Sequence, residues 1–181
     1  MSAAKEASDY ILAAVAKILA AEGDAVDTAV TMIAKAKRVF VYGVGRSGLV
    51  ARAFAMRLTQ LGLDTFFIGE TITPIVKSGD LVIIVSNTGT TMSAVQTANI
   101  ARRVGAQVLA VTGSVHSKLA QAANVTLVIA EEKDAKRGHY APLGTLFETA
   151  SLVLLDGIVA EVMKELGETE ASMRSRHAIM V

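Results

Sequence analysis

The chain has 181 residues, a formal net charge of +1 and no cysteine. Its length predicts one domain with one hydrophobic core, and the lack of cysteine excludes disulfides and thiolate chemistry. No basic cluster is long enough to follow a nucleic-acid backbone, and no uninterrupted apolar run reaches the roughly 18 residues of a membrane span. Residues 1–6 also lack the order of a signal peptide, so we expect a cytoplasmic protein that binds neither nucleic acid nor membrane.

Helical and strand-like segments alternate along the chain after two initial helices. Apolar residues at helical spacing predict helices over residues 4–21, 24–36, 49–61, 91–104, 117–123 and 145–166. Short apolar runs predict strands over residues 38–42, 64–68, 81–85, 107–111 and 125–130. We expect an irregular connection over 69–79, an exposed charged loop over 131–138 and a polar tail over 167–181.

The alternation predicts an α/β protein, a three-layer αβα sandwich around a mostly parallel five-stranded sheet of the flavodoxin- or Rossmann-like kind. The composition agrees, because 52% of the residues are apolar but few are aromatic, as is typical of parallel strands covered on both faces. We expect one domain over residues 1–181, with initial helices at 4–36, an α/β core at 38–166 and a tail at 167–181.

Residues 86–91, Ser-Asn-Thr-Gly-Thr-Thr, follow one predicted strand and precede a predicted helix. Free N–H groups and the helix dipole attract anions at such a position, and hydroxyl groups can donate to phosphate oxygens. An ordinary helix N-cap is the alternative, although one hydroxyl is enough for a cap. The lysine of a P-loop is missing, so we expect a small monophosphate ligand. The expected ligands are the side chains of Ser86, Thr88 and Thr91 and the backbone of Asn87, Gly89 and Thr90.

A second loop, Gly43-Val44-Gly45-Arg46-Ser47-Gly48, follows the first predicted strand. Both loops then lie at the C-terminal edge of the sheet, where ligands bind near a switch in strand order. The loop fits the dinucleotide pattern only loosely, and no acidic residue closes the next strand, which disfavours a dinucleotide. We expect Ser47 and the backbone of Gly45 to border the ligand, whereas Arg46 either faces the substrate or locks the loop.

Taken together, these motifs resemble the sugar isomerase (SIS) domain family. The two initial helices and both loops resemble SIS domains in general, while Gly144–Glu148 and Arg176–Ala178 resemble the 6-phospho-3-hexuloisomerases within it. The resemblance implies interconversion of D-arabino-hex-3-ulose 6-phosphate and D-fructose 6-phosphate in the ribulose monophosphate pathway. It also implies a homotetramer with active sites near subunit contacts, no metal or other cofactor, and functional coupling to 3-hexulose-6-phosphate synthase.

Such a reaction needs a base and an acid near the sugar carbons. Glu148 lies in an apolar segment, as suits a carboxylate base, and the resemblance favours this role; the alternative is a capping box with Thr145. The resemblance also favours His177 as the acid, against a solvated tail histidine. Glu70 either contacts sugar hydroxyls or is an exposed loop acid, and we assign His116 and His139 to surface turns.

Two further expectations concern assembly and rival functions. The helix predicted over 145–166 is apolar on most sides, so we expect a second subunit to cover part of it in a homo-oligomer. An arabinose 5-phosphate isomerase-like enzyme and a non-enzymatic sugar-phosphate sensor are the alternative functions. The first would move the carbonyl between C1 and C2, and the second would bind the sugar phosphate without turnover.

Overall fold

The computed structural model of the protein describes residues 2–20, 23–132 and 134–179. The helices are α1 (Ala3–Leu19), α2 (Ala25–Lys35), α3 (Gly45–Gln60), α4 (Met92–Arg103), α5 (Lys118–Ala122), α6 (Arg137–Tyr140), α7 (Thr145–Glu165) and α8 (Glu170–Ser175). The strands are β1 (Val39–Gly43), β2 (Thr65–Phe67), β3 (Leu81–Ser86), β4 (Gln107–Thr112) and β5 (Val125–Val128). None of these helices is both long and apolar enough to cross a lipid bilayer.

The five strands form one parallel sheet in the order β2-β1-β3-β4-β5. The central strand β3 is buried along its whole length, which explains its run of leucine, valine and isoleucine. The chain leaves β1 towards β2 on one side and returns to add β3 on the other. This reversal opens a crevice between the C-terminal ends of β1 and β3, where a ligand can bind. The predicted fold class is therefore confirmed.

Two hydrophobic cores lie on opposite faces of the sheet, because successive strand residues point to opposite sides. Val39 and Val41 of β1 face the layer of α1, α2, α3 and α7. Phe40 faces the smaller layer of α4 and α5. Each layer holds one side of the crevice: α3 begins directly after β1, and α4 begins after the turn that follows β3.

Helix α7 is covered mainly by its own chain. The helices α1, α2 and α3 all pack against it, and ten of its residues are buried. A second subunit is therefore needed to cover much less of this helix than the sequence predicts. The large apolar side chains left exposed on α7 and the adjoining α3 are Leu152, Val153, Leu49 and Met56.

Some predicted boundaries were wrong. The strands β2 and β5 are shorter than expected, and the predicted tail contains the helix α8. Residues 131–138 do not form a simple exposed loop, since they include the start of α6 and the largely buried side chain of Glu131, whose charge is paired. The predicted end of the first helix, Ala21, lies outside the described residues, as do Lys133 of this loop and Met180 and Val181 of the tail.

Candidate active site

The loops after β1 and β3 meet in a pocket of about 170 Å³ at the crevice. Five residues predicted from the sequence line it together: Ser47, Ser86, Asn87, Thr88 and Thr91. Val44, Val85 and Ala94 complete the lining. The structure thus joins two sequence motifs that lie about forty residues apart, because parallel strands end at the same edge.

The loop after β1 owes its shape to contact between two glycines. A Cβ atom on Gly48 would lie 2.6 Å from the carbonyl oxygen of Gly43, so the end of β1 and the first turn of α3 touch through their backbones. Gly45, with φ +60°, turns the chain into the helix. This close approach holds Ser47 at the pocket and directs Arg46 away from the sheet, towards α7.

The turn after β3 groups its hydroxyl side chains around the pocket. The buried Ser86 hydroxyl donates to Thr91 Oγ1 at 3.4 Å, and the Thr90 N–H and hydroxyl donate to Thr88 Oγ1 at 3.3 and 3.1 Å. Thr91 is the N-cap residue of α4, but its side chain makes no capping hydrogen bond. The simple N-cap alternative therefore does not account for these hydroxyls, and their long mutual contacts can be exchanged for contacts to an anion.

Gly89 fixes the position of this turn. A Cβ atom there would lie 2.3 Å from Ser117 Oγ and 2.6 Å from Thr112 Oγ1, and the residue has φ +58°. Its carbonyl also accepts the N–H of Leu119 at 2.9 Å. Because the back of the turn rests directly on the end of β4 and the start of α5, its opposite side is presented to the pocket.

Glu148 lies in the first turn of α7, and its side chain is only 11% exposed. Its carboxylate accepts a hydrogen bond from Arg46 Nε, and the side chain of Arg46 is 64% exposed. A Cβ atom on Gly144 would lie 3.0 Å from Glu148 Oε1 and 3.4 Å from Asn87 Nδ2. The carboxylate is therefore next to the hydroxyl-rich turn, with Asn87 and Arg46 at its sides.

The capping-box alternative for Glu148 is wrong. The N-cap residue of α7 is Gly144, and the Thr145 hydroxyl donates to the carbonyl oxygen of Pro142 at 2.7 Å. The Glu148 side chain binds Arg46 instead of reaching back to the start of the helix. The contact between the Arg46 guanidinium and Glu148 is compatible with both alternatives for Arg46, a residue that faces the substrate and a residue that locks the loop.

Glu70 and His177 are not brought to this pocket within one chain. Glu70 is exposed and pairs with Arg52. His177 follows α8, which is anchored at the far end of α3 by a hydrogen bond from Arg176 to the Gln60 carbonyl, 3.1 Å long. Helix α3 is 16 residues, or about 24 Å, long, and Arg46 is near its other end. A role for His177 beside Glu148 thus requires a second copy of the chain.

The other two histidines, His116 and His139, are exposed, as expected. His139 is in α6 rather than in a turn, because residues 137–140 complete one helical turn with N–H groups bonded to Lys136 and Arg137 carbonyls.

Sequence reasoning missed Glu131 and Arg137. Glu131 accepts the N–H of Phe147 at 3.0 Å and a hydrogen bond from Arg137 Nε at 2.7 Å. Both residues belong to a charged segment, which is typical of an exposed loop. No local sequence pattern distinguishes these two residues, because the groups that they contact near the start of α7 come close to them only when the chain folds.

A comparison with known proteins gives the family. The sequence profile of the SIS domain matches residues 32–155, which is more than half of the chain. The chain belongs to the SIS domain family. The matched span of the SIS domain contains both loops and Glu148 and ends before His177.

Individual relatives of this SIS domain chain are also similar over most of its length. A 3-hexulose-6-phosphate isomerase of Methanocaldococcus jannaschii is 37% identical, with 83% of this chain and 81% of the relative covered. A solved structure from Methanococcus jannaschii, described as inferring a molecular function of 3-hexulose-6-phosphate isomerase, is 34% identical with a TM-score of 0.83 and covers 97% of each chain. An arabinose 5-phosphate isomerase of Pseudomonas aeruginosa is 30% identical over 91% of this chain but only 52% of its own length.

Proposed function

We propose that this SIS-domain protein is a 3-hexulose-6-phosphate isomerase that interconverts D-arabino-hex-3-ulose 6-phosphate and D-fructose 6-phosphate. The observation that carries the proposal is the position of a largely buried carboxylate, Glu148, next to a pocket of hydroxyl and N–H groups. The sugar is suggested by the similarity to the enzyme of that name from Methanocaldococcus jannaschii, which extends over most of both chains.

In this proposal the pocket binds the phosphate dianion. The side chains of Ser47, Ser86, Thr88 and Thr91 would donate hydroxyl hydrogen bonds, and the backbone of Gly45, Asn87 and Gly89 would border the anion. The dipole of the 12-residue helix α4 points its positive end at the same place. A small volume of about 170 Å³ suits one phosphate better than a nucleotide. The carbon chain would then extend towards Asn87 and Glu148.

Glu148 is proposed as the base. It would take the proton from C2 of the 3-ulose, and the electron pair would form the C2=C3 bond while negative charge develops on O3. A proton is then added to O3 and removed from O2, and the return of a proton to C3 leaves the carbonyl at C2. No bond between heavy atoms is broken, so base, acid and stabilisation of the enediolate are sufficient.

Arg46 is proposed to have two roles: it pairs with the base before the reaction, and it then contacts the negatively charged oxygens of the substrate. It pairs with Glu148, while most of its side chain is exposed to solvent. An exposed arginine is held weakly, so it can move to the phosphate or the enediolate oxygen and leave the carboxylate available as a base. Glu70, paired with Arg52 beyond the pocket, is proposed only as a contact to a distal hydroxyl.

The acid is proposed to be His177 of a second copy in a homotetramer. The exposed apolar side chains on α3 and α7 offer a surface for subunit contact, and α8 presents His177 at the protein surface. Residence in the cytoplasm and functional coupling to 3-hexulose-6-phosphate synthase belong to the same proposal. The mass of the particle in solution, measured by light scattering, tests the tetramer directly.

Proton exchange tests the reaction. The purified protein is incubated with fructose 6-phosphate in heavy water, and NMR follows C1, C2 and C3. Formation of the hex-3-ulose with deuterium at the carbon that gains a proton in the reaction supports the proposal. Exchange confined to C1 would instead indicate the aldose–ketose chemistry named for the Pseudomonas relative. Binding without exchange would indicate a sensor and end the proposal.

A further inference from the structure

Two charged residues, Glu131 and Arg137, form a brace beside the first turn of α7, which carries the candidate base. Glu131 follows the end of β5 at the same edge of the sheet as the pocket, and its side chain is 11% exposed, as little as that of Glu148. Burial of a second carboxylate so close to the site is costly unless both of its oxygens are bonded. They are: Oε1 accepts the Phe147 N–H at 3.0 Å, and Oε2 accepts from Arg137 Nε at 2.7 Å.

The first of these contacts holds the residue next to the base. Phe147 is in the first turn of α7, where N–H groups have no partner within the helix. The N-cap residue Gly144 has no side chain to supply one. Glu131 therefore caps α7 from a distant part of the chain, and its bond fixes the turn from which Glu148 projects.

The second contact extends the brace to the loop before α7. Arg137 Nη2 donates to the carbonyl oxygen of Leu143 at 2.5 Å, so one guanidinium joins Glu131 to this loop. Leu143 has φ +57°, a backbone conformation that is unfavourable for a non-glycine residue, and its side chain is 85% exposed. Apolar packing of the Leu143 side chain contributes little to holding the backbone there. The Arg137 hydrogen bond supplies a restraint that packing does not.

The braced loop forms a wall of the site. Gly144 follows Leu143 directly, and it approaches both Glu148 Oε1 and Asn87 Nδ2 closely enough that a Cβ would lie 3.0 and 3.4 Å from them. A shift of the loop by about 1 Å would therefore move the carboxylate relative to the hydroxyl-rich turn. Displacements of this size can lower turnover by about 10²-fold.

We propose that Glu131 and Arg137 are positioning residues that hold Glu148 in register with the phosphate pocket. The inference rests on the proposed function, and it adds two residues that do not line the phosphate pocket but border a neighbouring cavity with Asn87 and Thr88. It also gives the short helix α6 a function, because Arg137 is the first residue of this helix. Asp134 accepts the N–H groups of Lys136 and Arg137 at 2.6 and 2.9 Å and so fixes the start of that helix.

The test compares one conservative change at two places. Arg137→Lys keeps the charge but removes the planar fork that reaches Glu131 and Leu143 together. Arg38→Lys is the matched control, since Arg38 also joins a buried carboxylate, Asp80, to a carbonyl oxygen, that of Ile75, but at the opposite edge of the sheet. We expect Arg137→Lys to lower kcat by about 10- to 10²-fold with KM within about 2-fold, and Arg38→Lys to lower only the melting temperature.

A second variant keeps the inference falsifiable if Arg137→Lys folds poorly, and a double variant adds a test if it folds. Glu131→Gln retains an oxygen for the Phe147 N–H but loses the charge that binds Arg137, and it should lower kcat less than Arg137→Lys does. The double variant should be no slower than Arg137→Lys alone, because both changes break the same unit.

Unchanged kcat in folded Arg137→Lys and Glu131→Gln would overturn the inference, as would an equal loss in Arg38→Lys. A wild-type protein that does not exchange protons into fructose 6-phosphate would overturn the proposed function and this inference with it. An active wild type with unaffected brace variants would overturn the inference alone.

Discussion

Two arginine–carboxylate pairs at opposite edges of the sheet differ in the number of hydrogen bonds that the carboxylate accepts. At the N-terminal edge, Asp80 accepts two hydrogen bonds from Arg38, at 3.1 and 2.6 Å, and one from the Lys77 N–H at 2.7 Å. Its side chain is 2% exposed and that of Arg38 22%. At the C-terminal edge, Glu148 accepts only one hydrogen bond from Arg46, whose side chain is mostly exposed to solvent.

The difference separates a structural pair from a reactive one. Burial alone would raise the pKa of Asp80, but the Arg38 guanidinium and the Lys77 N–H outweigh it and leave that pKa below its usual range. Both oxygens of this carboxylate already accept hydrogen bonds, so no other position is favoured for it. Glu148 keeps acceptor capacity next to a polar pocket, and its partner can leave. Bonding capacity left unused beside a cavity is thus a better sign of function than the presence of an ion pair.

The largest effect is expected from breaking the structural pair. Asp80→Ala leaves Arg38 without its buried partner, and removal of one member of such a pair typically costs about 3–5 kcal/mol of the free energy of unfolding. Urea unfolding measures this loss, and kcat of the folded fraction should not change. A loss of kcat with an unchanged free energy of unfolding would show that the Arg38–Asp80 pair serves the reaction rather than stability.

Glu148→Gln should have the next largest effect. The amide keeps the volume of the side chain but cannot take a proton, so kcat should fall by about 10²-fold or more. The stability should change little, because only one hydrogen bond to an exposed arginine is weakened. Heavy-water exchange into fructose 6-phosphate measures the rate. Near-normal turnover would remove Glu148 from the role of base.

Loss of one phosphate hydroxyl should be milder. Ser86→Ala removes a proposed donor to the dianion, and hydrogen bonds to charged groups contribute about 1.5–3 kcal/mol, so KM should rise about 10-fold or more. Steady-state kinetics and calorimetry with inorganic phosphate provide the measurement. Ser8→Ala, which removes an exposed hydroxyl on α1 that donates to the Ala4 carbonyl oxygen, is the control. An equal rise in KM for both variants would count against the phosphate site.

The smallest effect concerns a third pair, Arg176–Glu168, which anchors α8. The Arg176 guanidinium, helped by the Ser172 hydroxyl, lowers the pKa of Glu168 from 4.5 to about 2. A lowered folded-state pKa stabilises the fold above the unfolded value and loses that contribution as the pH falls from 4.5 towards 2. Glu168→Gln should therefore flatten the decrease in stability over this range, as measured by urea unfolding at several pH values. An unchanged decrease would exclude the pair as its cause.

The elements of the fold could be predicted because their signals are local. Apolar spacing, hydroxyl-rich turns and glycines identify strands, helices and loops within a few residues of each other. The bounds of β2 and β5 were less predictable, because strand length depends on hydrogen bonds to neighbouring strands. The helix α6 was missed for a similar reason, since Asp134, Glu131 and Leu143 stabilise it from outside its own four residues.

Local sequence patterns were enough to predict the parallel α/β architecture and the meeting of the two loops, since the loops that follow parallel strands lie at one edge of the sheet. They also singled out Glu148 as a candidate. The folded chain was needed to show that Glu148 meets Arg46, that Glu131 caps α7, and that His177 lies at the far end of α3. Those contacts join residues distant along the chain, and the geometry that brings them together exists only after the helices have packed on the sheet.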